Sequence, residues 1–111
     1  MTSSTFQEAG LEDAVARAKA GDGYAGSVLR SKLLSVGVYV LAAGAIDDQT
    51  PHVEDEVYFA VRGRGGFRCE GAEHAVAPGS LLFVPAGADH RFHDIDEELV
   101  LVVFWAPPES E

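Results

Sequence analysis

From residue 28 onward the chain is a succession of short runs that favour a pleated, half-buried surface, each cut off by glycine or proline. Val28 to Leu34 and Val36 to Leu41 come first, followed by the polar turn Gly44 to Gln49. Val57 to Val61 ends at Arg62-Gly63-Arg64-Gly65-Gly66, and Phe67 to Cys69 with His74 to Val76 flanks the acidic hairpin turn Glu70-Gly71-Ala72-Glu73. Leu81 to Val84 lies between Pro78-Gly79 and Pro85-Ala86-Gly87. His90 to His93 is short, whereas Leu99 to Trp105 is wholly apolar, as a central buried strand should be, and Pro107-Pro108 stops it. Seven or eight strands punctuated in this way predict an all-β fold, either a closed barrel or a double-sheet jelly roll.

The N-terminal quarter reads differently. Thr5-Phe6-Gln7-Glu8 has the form of a capping box, and Leu11, Ala14, Val15 and Ala18 recur at helical spacing before Gly21. The spacing predicts a short amphipathic helix whose narrow, alanine-rich stripe packs on the outside of something larger. Residues 1–26 are thus expected to be a helix and loop, and 27–111 the barrel of the same domain.

A net charge of -10 leaves no basic patch for a nucleic-acid backbone or an anionic membrane surface. No apolar run approaches the ~20 residues that cross a bilayer. Cys69 is the single cysteine, so no intramolecular disulfide forms, and the start lacks the basic-then-apolar pattern of a signal peptide. A soluble cytoplasmic protein is expected, with Cys69 a free, unreactive thiol.

Chemistry concentrates in two places. His52 and Glu56 stand four residues apart and lead into a strand, and His90 follows the turn Pro85-Ala86-Gly87. Two imidazoles and one carboxylate brought to a point would suit a divalent first-row metal with open coordination positions. If Glu56 opens a strand, Tyr58 shares its face, while His90, Phe92 and Asp94 share another and Arg91 and His93 point away. His74 and His93 are expected at the surface, and Glu54 and Asp55 on a solvated rim.

These residues resemble the cupin family. Gly79, Pro85, Gly87 and His90 reproduce the order and spacing of its second motif, with Asp94 in place of the asparagine. Glu56 and Gly63 fit the first motif, His52 takes its second histidine, and Thr50 stands where its first histidine belongs. The resemblance implies a double-stranded β-helix, a jelly-roll barrel holding a metal. The ligands here would be His52, Glu56 and His90, with Gln49, Thr50, Tyr58, Phe83, Phe92 and Trp105 lining a substrate pocket. Such a triad leaves three octahedral positions, so iron(II) is the favoured metal, with manganese, nickel, zinc and cobalt as alternatives.

The implied function is a mononuclear metal enzyme acting on a small organic molecule, an iron(II) dioxygenase first. An oxygen-independent isomerase or lyase, or a non-catalytic binding barrel, are the alternatives. No DNA-binding helix accompanies the barrel. Small members of the family commonly pair, so a homodimer is expected, with Val57, Phe59 and Val61 facing outward to meet the second copy.

Overall fold

The computed structural model describes residues 5–47 and 51–110. One helix, α1 (Leu11–Ala20), precedes six strands: β1 (Tyr24–Arg30), β2 (Ser35–Leu41), β3 (Asp55–Cys69), β4 (Ala72–Val76), β5 (Leu81–Val84) and β6 (His90–Ala106). All pairings are antiparallel, in the order β1-β2-β6-β3-β4, and β5 pairs with the first half of β3. The two long strands β3 and β6 pair along their length and bend through both walls of the barrel. The expected all-β architecture, a double-stranded β-helix with one short helix, is the one observed. Among the described residues no helix is long and apolar enough to cross a membrane.

The strands are fewer and longer than their sequence punctuation suggests. The run Arg62 to Gly66 is not a turn: β3 passes through it, absorbing the glycines as register shifts between Ala60 and Gly66 opposite β6. Gly63 has φ +99°, and a Cβ there would collide with the Glu98 carbonyl oxygen, so only glycine fits. β6 likewise runs unbroken from His90 to Ala106. The predicted hairpin between β3 and β4 is present, with Glu70 (φ +50°) and Gly71 (φ +83°) in the left-handed conformation that tight hairpin turns require.

Alternation along the strands divides the apolar residues into two groups. The inner set, including Tyr58, Phe67, Phe92, Leu99 and Trp105, fills the barrel. On the outside, Val38, Val40 and Val100 are covered by Ala14, Val15 and Ala18 of α1, with Val61 packed against them. Val61 is therefore under the helix, not on an open face. The rest of that outer surface has no such cover: Phe59, Leu81, Phe83 and Phe104 remain exposed across β5, β3 and β6.

The capping box does not form. Gly10 is the residue before α1 and no side chain caps it. Gln7 instead clips onto β1, its Nε2 donating to the Arg30 carbonyl at 2.6 Å and its Oε1 accepting from the Arg30 amide at 2.9 Å. A side-chain amide satisfies both groups of a strand-edge peptide, which a helix-capping carboxylate could not do. β1 also begins earlier than expected, so Tyr24 to Gly26 belong to a strand and not to a loop.

Candidate functional site

The turn before β6 builds one side of the site. The Gly87 amide donates to the His52 carbonyl at 2.7 Å, and the Ala86 amide donates to Asp55 Oδ1 at 2.8 Å. These two bonds tie the loop carrying His52 to the turn that precedes His90. Ala88 closes the turn on Pro85 and presents its carbonyl to His90 Nδ1 at 2.9 Å. With Nδ1–H donating there, the lone pair of Nε2 is left facing inward.

His90 and Glu56 are both buried, with side chains 1% exposed. His90 Nε2 lies 3.1 Å from Glu56 Oε1 and 3.3 Å from the Tyr58 hydroxyl. His52 enters from the loop, its Nε2 3.8 Å from Glu56 Oε2 and its ring edge-on to Trp105 at 4.4 Å. The two imidazole centroids are 6.1 Å apart. Among the described residues neither Glu56 oxygen has a hydrogen-bond partner, and the 3.1 Å approach of His90 Nε2 is an ion-pair distance. Burial works against a charged His90, but the Glu56 carboxylate, the Ala88 carbonyl and the charge of Asp47 outweigh it and raise the imidazole above its ordinary value.

The structure thus brings His52, Glu56 and His90 to one place. Among the described residues, however, no group of three or more His, Cys, Asp or Glu side chains is spaced as a bound ion requires. The chemistry of the donor set still suits a cation: a buried carboxylate without hydrogen bonds, a fixed imidazole tautomer beside it, and a second imidazole within 4 Å of the same carboxylate.

A cavity of about 300 Å3 opens on His52 and Tyr58. Trp105, Tyr24 and Tyr39 supply its aromatic surfaces, and Asp22 and Glu109 its carboxylates. Of the expected pocket residues, Tyr58 and Trp105 are here. Phe83 is not: it is 62% exposed on the outer face of β5, because Leu82 and Val84 take the inward positions of that strand. Phe92 is fully buried beneath the site, packed on Tyr58 and Phe67 at 5.0 and 4.7 Å, so it supports Tyr58 and does not line the cavity. Gln49 and Thr50 lie outside the described residues.

Other expectations are revised. Asp94 does not share the inner face of His90 and Phe92. It bulges outward at φ +46°, and Ile95 takes the buried position after Phe92. His93 lies at the surface between Asp94 (2.8 Å) and Glu73 (2.7 Å), as expected of an outward residue. Glu54 is buried and not on a rim, its Oε2 accepting from the Ser110 amide and hydroxyl. Burial would raise that carboxyl, but the two Ser110 donors hold it below its ordinary value. The Cys69 thiol is pushed up, by burial first and then by Glu70 and Asp89, which makes it a poor nucleophile.

Sequence reasoning passed over Asp47, Tyr24, Tyr39, Asp22 and Glu109. Asp47 is buried and clamps the site loop, accepting from the Tyr39 hydroxyl and from the Phe92 amide, both at 2.9 Å. A polar residue next to a turn carries no mark that a strand amide 45 residues later will bind it.

A family model described as "Cupin domain" matches residues 37–107, more than half of the chain. An uncharacterized protein of Streptomyces coelicolor is 45% identical over 100 residues, covering 90% of this chain and 95% of its own. Among solved structures, the DMSP lyase DddQ from Ruegeria pomeroyi DSS-3 is 28% identical with a TM-score of 0.65. The match covers 68% of this chain but 39% of the lyase, so this chain spans about two fifths of that protein. A candidate mannose-6-phosphate isomerase from Ralstonia eutropha JMP134 is 27% identical, covering 75% of this chain and 82% of its own, with a TM-score of 0.65. The family match agrees with the antiparallel barrel and with the two motifs leading into the N-terminal ends of β3 and β6: this chain belongs to the cupin family.

Proposed function

We propose that this protein is a metal-dependent enzyme that rearranges or cleaves a small organic molecule without using oxygen. His52, Glu56 and His90 would hold the ion. One observation carries the reading: Glu56 is buried beside two imidazoles, with neither oxygen hydrogen-bonded among the described residues, and such a carboxylate calls for a cation. When bound, a divalent metal supplies Lewis acidity toward a substrate oxygen. The chain's own side chains do the rest. His90 is locked by the Ala88 carbonyl, Trp105 and His52 form part of the cavity wall, and the Tyr58 hydroxyl stands where it can take or give a proton.

The ligand types alone also suit iron(II) and oxygen. What favours the oxygen-independent reading is that two of the similar structures bear the names of a lyase and of a candidate isomerase. The test is a product screen of metal-loaded protein with and without oxygen. Product formed equally under strict anaerobiosis supports the reading, and turnover that stops when oxygen is removed overturns it.

A further inference from the structure

The cavity beside the site has a chemical character of its own. Among the described residues that line it, none is a lysine or arginine. The chain has no basic residue between Lys32 and Arg62, a stretch that includes the site loop. Four of the eight basic side chains are committed to surface ion pairs: Lys19 with Glu98, Arg62 with Glu12, Arg64 with Glu97 and Arg68 with Glu73. Arg30 reaches the main-chain oxygen of Glu109 and the Ser27 hydroxyl, and does not line the cavity.

Carboxylates and aromatic rings take the place of cations. Glu109 accepts from the Tyr24 hydroxyl at 2.8 Å, and that hydroxyl accepts from the Trp105 indole N–H at 3.0 Å. Asp22 accepts the Tyr24 amide at 3.2 Å. Tyr24 and Tyr39 meet edge to face at 5.9 Å. The Tyr24 phenol is held far above its ordinary range, by burial first, then by Glu109, with Glu56 adding to the same effect and Trp105 opposing it. Burial is the larger cause, and the Glu109 carboxylate beside the hydroxyl puts negative charge at this wall of the cavity.

We propose that this cavity takes a small organic cation, an onium group of the quaternary ammonium type, and turns away phosphorylated and other anionic molecules. Aromatic rings attract such a group through their quadrupoles, and the carboxylates of Glu109 and of Asp22, the latter exposed, neutralise it. The net charge of -10 draws cations toward the surface from a distance. A volume of about 300 Å3 is at the small end of ligand pockets and fits a molecule of this kind. The onium end lies against Asp22 and Glu109, leaving the reacting end toward His52 and Tyr58. The proposal rests on the reading that this cavity serves the His52, Glu56 and His90 site, but binding can be measured without any metal, so the two can fail separately.

Trp105 is the single tryptophan and stands in the cavity wall, so its fluorescence reports binding directly. Metal-free protein is titrated with choline, with 3,3-dimethylbutan-1-ol (the same shape without the charge) and with mannose 6-phosphate. Choline is expected to bind about tenfold more tightly than the neutral alcohol, the scale of a cation held by aromatic faces and a carboxylate, and mannose 6-phosphate to give no response. Glu109→Gln and Asp22→Asn are each expected to weaken choline several-fold and leave the alcohol unchanged. Either variant suffices if the other fails to fold. Equal binding of the neutral alcohol, a response to the phosphate as strong as that to choline, no response to choline at all, or indifference to both substitutions overturns the proposal.

Discussion

Glu56→Gln separates what this residue does for folding from what it does for the site. The wild-type carboxylate is 1% exposed, and among the described residues neither oxygen receives a hydrogen bond. His90 Nε2 at 3.1 Å compensates the charge only in part, and a buried polar group left without hydrogen bonds costs about 1–3 kcal/mol, a charged one more. The amide has the same volume and no charge, and its NH2 can donate to the inward-facing His90 Nε2. In metal-free protein at pH 8 the substitution is therefore expected to stabilise the fold by about 1–2 kcal/mol, against the usual direction for a core change. At roughly 4 °C per kcal/mol for a domain of this length, the melting temperature rises by about 4–8 °C. Metal reverses the ranking. An ion at a hundred times its Kd stabilises wild type by about 2.7 kcal/mol, or about 10 °C, and the amide, a weak ligand, forgoes that gain. Scanning calorimetry of both proteins, with chelator and with added metal, reads all four values. A metal-free Glu56→Gln protein that melts well below wild type, yet gains the same increment from metal, would refute the reasoning.

Three further outcomes follow from the fold. Gly63→Ala places a Cβ against the Glu98 carbonyl at φ +99°, so it is expected to cost about 3 kcal/mol or more, measured by urea unfolding. Among the described residues nothing covers Phe59, Leu81, Phe83 and Phe104, which adjoin across β5, β3 and β6 as one apolar face. We expect a homodimer through it, and Phe83→Glu should halve the mass found by light scattering; a wild-type monomer removes the idea. His93 is raised above its ordinary value by Asp94 first and by Glu73, with slight burial opposing. A raised folded value means its contribution is complete below about pH 6.5 and fades as pH climbs through the folded value, so His93→Asn should destabilise more at pH 6 than at pH 9 in paired thermal melts.

How far the sequence spoke depended on how local each feature is. The spacing of His52 and Glu56 and the turn Pro85 to Gly87 before His90 are local patterns, and the barrel does draw those side chains together. Phe83 went astray because four apolar residues in a row, Leu81 to Val84, do not say which two face inward. The glycine run at 63 to 66 looks like a turn until the partner strand is known, since the same residues serve a bulge. Thr5 to Glu8 satisfied a capping pattern, but Gln7 found a strand edge 23 residues away. The cavity drew its carboxylates from Asp22 and Glu109, near opposite ends of the chain, and Glu54 was buried by Ser110. No periodicity records such long-range partners.

One cation is expected among His52, Glu56 and His90. Elemental analysis of protein purified without added metal, beside a His90→Ala variant shown to be folded by circular dichroism, tests it most directly. The account predicts about one divalent ion per wild-type chain and almost none in the variant. Wild-type protein that takes up no ion even when divalent metals are supplied, or a variant that holds as much as wild type, would contradict it.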